Sequence, residues 1–344
     1  MNHEYFMQRC LEIAKRGAGF VNPNPLVGCV IVNDGKIISE GWHTAFGKEH
    51  AERMAIGLLS NKSILSDSTL YVNLEPCAHF GKTPPCASLL IEHKVKRVVV
   101  GMTDPNHLVA GKGIAMLREN GIEVIENICN HDCLALNKFF VTLHTKKRPY
   151  IVLKWAECAN GFMSPLPKSR FQISGPETQT ITHSLRRDVS AILVGVNTWN
   201  IDNPKLDNRL WVGNSPQRFV VDNHLKGNYH SDFVGNSQVY VLNSLRNEIV
   251  ENVHYVQMHF DENFLNNLMV LLFDLNINSL MVEGGAFTLN EFIKHNLYDE
   301  IHRFKSKNLR LTDGDFAPEL KANLISSQEL PSDYYEVFKN NSSL

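Results

Sequence analysis

Four residues constrain this chain more than any bulk property: His50, Glu52, Cys77 and Cys86. One imidazole and two thiolates make three N/S ligands, and a tetrahedral Zn²⁺ so held keeps its fourth position open for water, the layout of a catalytic site rather than a structural one. Two thiolates also balance the charge of the ion. Glu52 stands two residues after the His, where a carboxylate can move a proton to and from an activated water. Taken singly, the three ligands read better as a surface His and two buried thiols, and Glu52 could be a solvated helix-start acid. Taken together, with both ligand clusters at expected helix starts, they read as a metal site.

Those helix starts come from the pattern of the first half, which alternates helix and strand. Apolar residues at helical spacing predict a helix over 4–16. Strand 28–32, the turn Asn33-Asp34-Gly35 and a returning strand over 36–43 predict a hairpin. A helix is expected from about His50 to Leu59, a strand over 69–74, and a second helix opening near Pro84-Pro85, since Pro is favoured in a first turn. Strand 97–101, helix 112–120, strand 122–125 and helix 131–143 follow. Helix N-termini carry partial positive charge, which favours thiolates there.

The polar break Thr145-Lys146-Lys147-Arg148-Pro149 marks a boundary, so 1–146 and 150–344 are the expected domains. A chain of 344 residues suggests two. The second half restarts with strand 150–156. It continues through helix 177–187, strands 191–194, 218–222 and 238–242, helix 264–274, strand 279–282 and helix 286–295. This alternation predicts a doubly wound α/β domain.

Composition excludes little but usefully. Apolar residues make up 43% and charged residues 20%, as in ordinary globular proteins. A formal net charge of −2 provides no basic field for nucleic acid. Residues 1–10 lack an apolar signal-peptide core, and the apolar run Leu268–Phe273 is too short to cross a bilayer. Seven scattered cysteines fit a reducing cytoplasm. Cys129 and Cys133 could be drawn as a second metal site, but their spacing favours structural thiols, as does the apolar strand around Cys29.

The order H-x-E, P-C, C is the signature of zinc-dependent base deaminases. In its common form two residues separate the cysteines, whereas here eight do. Glu75-Pro76-Cys77-Ala78-His79-Phe80-Gly81-Lys82-Thr83-Pro84-Pro85-Cys86 resembles the bifunctional deaminase–reductase of riboflavin biosynthesis. So do Asn22-Pro23-Asn24-Pro25-Leu26-Val27-Gly28, Gly41-Trp42-His43 and Thr103-Asp104-Pro105-Asn106, and in the second half Lys154-Trp155-Ala156, Asp202-Asn203-Pro204 and Val282-Glu283-Gly284-Gly285.

The resemblance implies a cytidine-deaminase-like three-layer domain followed by a dihydrofolate-reductase-like doubly wound domain. It implies Zn²⁺ and NADPH as cofactors and a phosphoribosyl pyrimidine as substrate. That substrate would be deaminated at the amidine carbon of its ring, and its ribosyl group then reduced to ribityl. Ala156, Thr198, Asp202, Asn223, Gly284 and Gly285 would line the NADPH site. Arg186, Leu206, Arg209 and Glu283 would hold the substrate there, the two arginines being suited to bidentate phosphate contact. On their own chemistry, Asn24 reads as a base-edge contact, since an amide both donates and accepts, or equally as a plain turn residue, and Lys82 on the inserted loop reads as a contact to the ring or ribose phosphate or equally as a solvated side chain.

Departures gather in the second half. Asn160-Gly161 stands where the family usually has Asp-Gly, Arg170 and Gln172 stand where Ser and Trp are familiar, and Asn223 follows Val-Val-Asp where Ser is common. They define the alternative of a monofunctional deaminase with a degenerate reductase-like domain. A nucleic-acid-editing deaminase is a third reading, opposed by the missing basic surface and interleaved aromatics. A homodimer is a plausible assembly for such an enzyme.

Overall fold

A computed structural model describes residues 2–78, 84–106, 109–230, 234, 238–320 and 322–341. The chain divides into two compact units, 1–147 and 148–344.

The first unit is a five-stranded sheet in the order β2-β1-β3-β4-β5, with strands β1 (Gly28–Asn33), β2 (Lys36–Trp42), β3 (Thr69–Leu74), β4 (Arg97–Met102) and β5 (Glu123–Ile125). β1 pairs antiparallel with β2 and β3, whereas β3, β4 and β5 run parallel. The β1–β2 hairpin closes through Asp34 and Gly35, with φ of 47° and 75°, the left-handed pair that a two-residue turn of matching twist requires.

Strand residues alternate between two cores. Cys29, Ile31, Leu70, Val72, Val98 and Val100 pack against Ala51, Ala55 and Ile56 of α2 (Ala51–Gly57), Ala87 and Leu90 of α3 (Cys86–Glu92), and Ile114 and Leu117 of α4 (Lys112–Glu119). Val30, Val32, Tyr71 and Val99 pack on the other face against Phe6, Met7, Cys10 and Leu11 of α1 (His3–Ala14) and Cys133 of α5 (Asn130–Leu136). The result is three layers, with strands apolar on both sides because both sides are covered. One expectation changes here. The helix expected over 131–143 is interrupted at Asn137, which separates α5 from α6 (Lys138–Lys146).

The second unit carries a ten-stranded sheet. Its parallel centre comprises β6 (Tyr150–Glu157), β8 (Ala191–Gly195), β9 (Gln217–Val221), β10 (Val239–Asn243), β12 (Val253–Gln257), β13 (Ser279–Val282) and β14 (Glu300–Ser306), in the spatial order β12-β10-β9-β8-β13-β6-β14. Antiparallel strands flank it: β11 (Glu248–Val250) on one side, β17 (Asp333–Lys339) and β16 (Asn323–Glu329) on the other. β7 (Phe162–Pro165) and β15 (Gly314–Phe316) form a separate ribbon.

Ile151, Leu153, Trp155, Leu193, Leu280, Val282 and Ile301 form a core with Leu265, Leu268 and Leu272 of α9 (Phe264–Asp274) and Leu289 and Phe292 of α10 (Ala286–Lys294). Val152, Ile192, Val194, Met281 and Phe304, of opposite parity along these strands, are buried as well, so the sheet is covered on both faces. α7 (Pro176–Asp188) and the short α8 (Val196–Asp202) complete the helices used below. Sequence periodicity identifies β6, β8, β9, β10 and β13 of the parallel centre but gives no sign of α8, β7, β11, β12 or β14–β17.

Candidate active sites

In the first unit, the ends of β3, α2 and α3 meet. His50 is the N-cap of α2, in an extended conformation, and its carbonyl accepts the first helical bond from Met54 at 3.0 Å. Cys86 opens α3 behind Pro85, and Cys77 lies just beyond β3. His50 Nδ1 is 3.6 Å from Cys77 Sγ and 3.4 Å from Cys86 Sγ, and all three donor atoms lie within 4.8 Å of one another. Tetrahedral Zn²⁺ with N and S bonds of about 2.0–2.3 Å needs donors about 3.5 Å apart, so the set fits that ion.

Glu52, 3% exposed, sits in the first turn of α2 against Cys86. Burial, reinforced by the Cys77 thiolate, raises its carboxyl above the ordinary range. The Cys77 thiolate is held well below the ordinary thiol range by the Cys86 thiol donating to it and then by His50, against its burial. Cys86 is raised in turn by that shared proton and by burial. The Cys86 N–H also donates to Cys77 Sγ at 3.3 Å, so a helix start faces the thiolate.

A second layer aims these groups. His43 Nδ1 bonds the Glu49 carbonyl at 2.9 Å and its Nε2 bonds Asn24 Nδ2 at 3.0 Å. Since Nδ2 of Asn24 can only donate, Nε2 accepts and Nδ1 carries the proton. Burial lowers the His43 pKa, favouring this neutral form. Asn24 thus keeps its carbonyl oxygen while its amide nitrogen is engaged. The Asn24 loop is pinned at Leu26, whose N–H donates to Asn137 Oδ1 at 2.8 Å and whose carbonyl accepts from Asn73 and Asn137 at 2.9 and 3.0 Å. The sequence reading assigns no role to His43, Asn73 or Asn137. Lys82 and His79 lie outside the described residues.

In the second unit, Ala156, Arg186, Thr198, Asp202, Leu206, Arg209, Asn223, Glu283, Gly284 and Gly285 all line one cleft of about 1880 Å³. It opens at the carboxyl ends of β6, β8, β9 and β13, where open parallel sheets bind ligands. Gly284 has φ +118°, accessible essentially to glycine alone, and the Gly285 N–H donates to Thr198 Oγ1 at 2.9 Å. The turn is therefore tied to α8 as it delivers the chain into α10.

Both arginines are engaged with carboxylates. Arg186 is not free for a bidentate phosphate contact, because its Nε and Nη2 grip Glu283 Oε1 and Oε2, each at 2.7 Å. A carboxylate buried here needs a counter-charge, and Arg186 provides it. Although burial would raise it, Glu283 is held at about 2 by Arg186 and Lys154. Arg209 is exposed and bonds the Asp207 carboxylate. Lys154, also lining the cleft, is a residue for which the sequence suggests no role; burial lowers its pKa. Asp202 is raised by burial, an effect that Arg170 opposes.

Comparison with known proteins follows the same division. Residues 1–102 match the cytidine and deoxycytidylate deaminase zinc-binding region, and residues 149–305 match the RibD C-terminal domain. Fold and sites together define a zinc deaminase joined to a reductase. Riboflavin biosynthesis protein RibD of Aquifex aeolicus is 40% identical over 302 residues, covering 86% of this chain and 84% of its own. A diaminohydroxyphosphoribosylaminopyrimidine deaminase/5-amino-6-(5-phosphoribosylamino)uracil reductase from Thermotoga maritima superposes with a TM-score of 0.86 at 36% identity, over 98% of both chains. Acinetobacter baumannii RibD gives 0.91 at 30% identity, over 99% of both.

The chain belongs to the RibD family of riboflavin biosynthesis proteins. It is a bifunctional enzyme of deaminase and reductase domains that uses Zn²⁺ and NADPH and acts on a small pyrimidine. The reductase-domain match across 149–305 disfavours the degenerate-domain alternative, despite Asn160, Arg170, Gln172 and Asn223. Among the described residues no helix is long and apolar enough to cross a membrane.

Proposed function

We propose that residues 1–146 deaminate 2,5-diamino-6-ribosylamino-4(3H)-pyrimidinone 5′-phosphate and that residues 150–344 reduce the ribosyl group of the product to ribityl with NADPH. The convergence of His50 Nδ1, Cys77 Sγ and Cys86 Sγ beside the buried Glu52 carries the first half of this reading. His50, Cys77 and Cys86 would hold Zn²⁺, which when bound supplies Lewis-acid activation of water. Glu52 takes one proton of the attacking water to the ring nitrogen, then carries the second, from the added hydroxyl that becomes the carbonyl, to the amino group, which leaves as ammonia. A carboxyl whose affinity for protons is raised by burial is suited to hold each proton in between. Asn24 turns its free carbonyl oxygen to the base edge, and Lys82 meets the ring or phosphate.

In the reductase half, the nicotinamide supplies the hydride and the protein supplies position. Ala156, Thr198, Asp202, Asn223, Gly284 and Gly285 would seat NADPH, with the start of α10 offering N–H groups to a phosphate. The Arg186–Glu283 pair, Leu206 and Arg209 would hold the phosphoribosyl group. Their common cleft supports this assignment. A homodimer in the cytoplasm is the proposed setting. Seven free thiols fit a reducing compartment, and light scattering reads the mass.

Mass spectrometry of the product tests the whole reading. Zinc-loaded protein alone should convert the 2-amino group to a carbonyl, and added NADPH should then yield the ribityl compound. Reduction of the ribosyl group before deamination would contradict the order.

A further inference from the structure

Glu75 touches none of the donor atoms, yet it fastens the segment that carries one of them. Its side chain is 3% exposed, and its two oxygens accept four backbone N–H groups. Oε1 accepts from Gly113 at 2.8 Å and Ile114 at 3.2 Å; Oε2 accepts from Gly111 at 2.9 Å and Asp104 at 3.1 Å. The Glu75 N–H itself donates to the Met102 carbonyl at 2.9 Å. The donors come from the exit of β4, the turn before α4 and the first turn of α4. At that helix start a carboxylate also complements the dipole.

The next peptide is locked by shape. A Cβ on Gly113 would lie 2.0 Å from the Pro76 carbonyl oxygen, so α4 rests directly on the Pro76 backbone. Cys77 follows immediately. Only an ionised carboxylate offers acceptors on both arms, whereas an amide would turn N–H groups toward N–H groups.

We propose that Glu75 is a positioning residue for the Cys77 thiolate: by clamping the exits of β3 and β4 to α4, it fixes where that donor stands. The inference rests on the zinc reading of His50, Cys77 and Cys86 given above. The carboxylate sets the lifetime of the bound metal without contacting it, because a donor held by a rigid backbone cannot swing away as the ion departs.

Zinc release from the purified full-length protein tests this, measured with excess chelator and a metallochromic dye. Glu75→Gln, which keeps volume and loses acceptors, should release zinc about 10- to 100-fold faster than the parent protein, the size of the affinity losses that follow removal of outer partners of metal ligands. Gly113→Ala, which disturbs the same joint from the α4 side, should also speed release, and it serves in place of the Gln variant if that one does not fold. Val32→Ala is the control. Val32 pairs with Thr69 at the far end of β3 and is fully buried, so it lowers stability but should leave the release rate unchanged. Release from the joint variants at the parental rate, or equally fast release from Val32→Ala at matched loss of stability, would overturn the proposal. A parent protein that binds no zinc would overturn the metal reading beneath it.

Discussion

Arg186 and Glu283 form a two-pronged ion pair in the wall of the reductase cleft, with both contacts at 2.7 Å and both side chains largely buried. One comes from α7 and the other from the end of β13, so the pair ties a helix to the mouth of the sheet. Removing one partner strands the other charge in a poorly solvated place. Glu283→Ala should therefore cost about 3–5 kcal/mol in the unfolding of the reductase unit. Denaturant titration of the full chain, followed by the fluorescence of Trp155, Trp199 and Trp211, measures it. An unchanged midpoint would show that the pair is dispensable.

The same pair sets an acid limit. Glu283 is held at about 2, against an ordinary value of 4.5. Between those values the unfolded chain binds a proton that the folded chain refuses, so acid favours unfolding. The stabilisation is complete above 4.5 and is lost as pH falls from 4.5 toward 2. Glu283→Gln cannot titrate and should flatten that part of the stability–pH curve. A Gln variant as acid-sensitive as the parent in this window would assign the loss to other groups.

Glu52→Gln separates proton transfer from metal binding. The variant should keep its zinc, measured by elemental analysis, while deamination falls by about 10²- to 10⁴-fold. Reduction of substrate already deaminated should proceed at the parental rate. Retained deamination would remove Glu52 from the mechanism.

Asn137 acts at a distance from the chemistry. It bonds both the N–H and the carbonyl of Leu26, two residues beyond Asn24. Asn137→Ala leaves those groups short of partners, at a cost of about 1–3 kcal/mol. With the Asn24 loop loosened, the deaminase KM should rise while the NADPH-dependent step keeps its KM. Equal effects on both steps would mean general destabilisation.

How legible these sites are depends on how locally their signals are written. His50, Glu52 and Cys86 stand at helix starts that Pro85 and the apolar spacing announce, and Cys77 closely follows the plain strand β3, so the metal cluster can be read directly. Strands such as β3 and β13 are continuous apolar runs and are equally plain. β14 is not, because Glu300, His302 and Tyr335 satisfy one another inside the sheet: His302 bonds Glu300 at 2.8 Å and Tyr335 at 2.7 Å. A strand whose buried face is polar carries no period-two apolar signal. Asn137 breaks a helix in order to hold Leu26, 111 positions away, and nothing beside it in the chain foretells that. The commitment of Arg186 to Glu283, 97 positions away, is hidden for the same reason. Glu75 is the intermediate case: a carboxylate between a strand and Pro-Cys invites attention, but its four donors belong to other segments.

The central claim is one chain with two consecutive activities, and a stoichiometric coupled assay tests it most directly. Purified protein loaded with Zn²⁺ is given the diaminopyrimidine ribosylamine phosphate and excess NADPH, and ammonia and NADPH are followed together. One ammonia released and one NADPH oxidised per substrate consumed, with ammonia appearing first, is the predicted result. Complete release of ammonia with no oxidation of NADPH would contradict it.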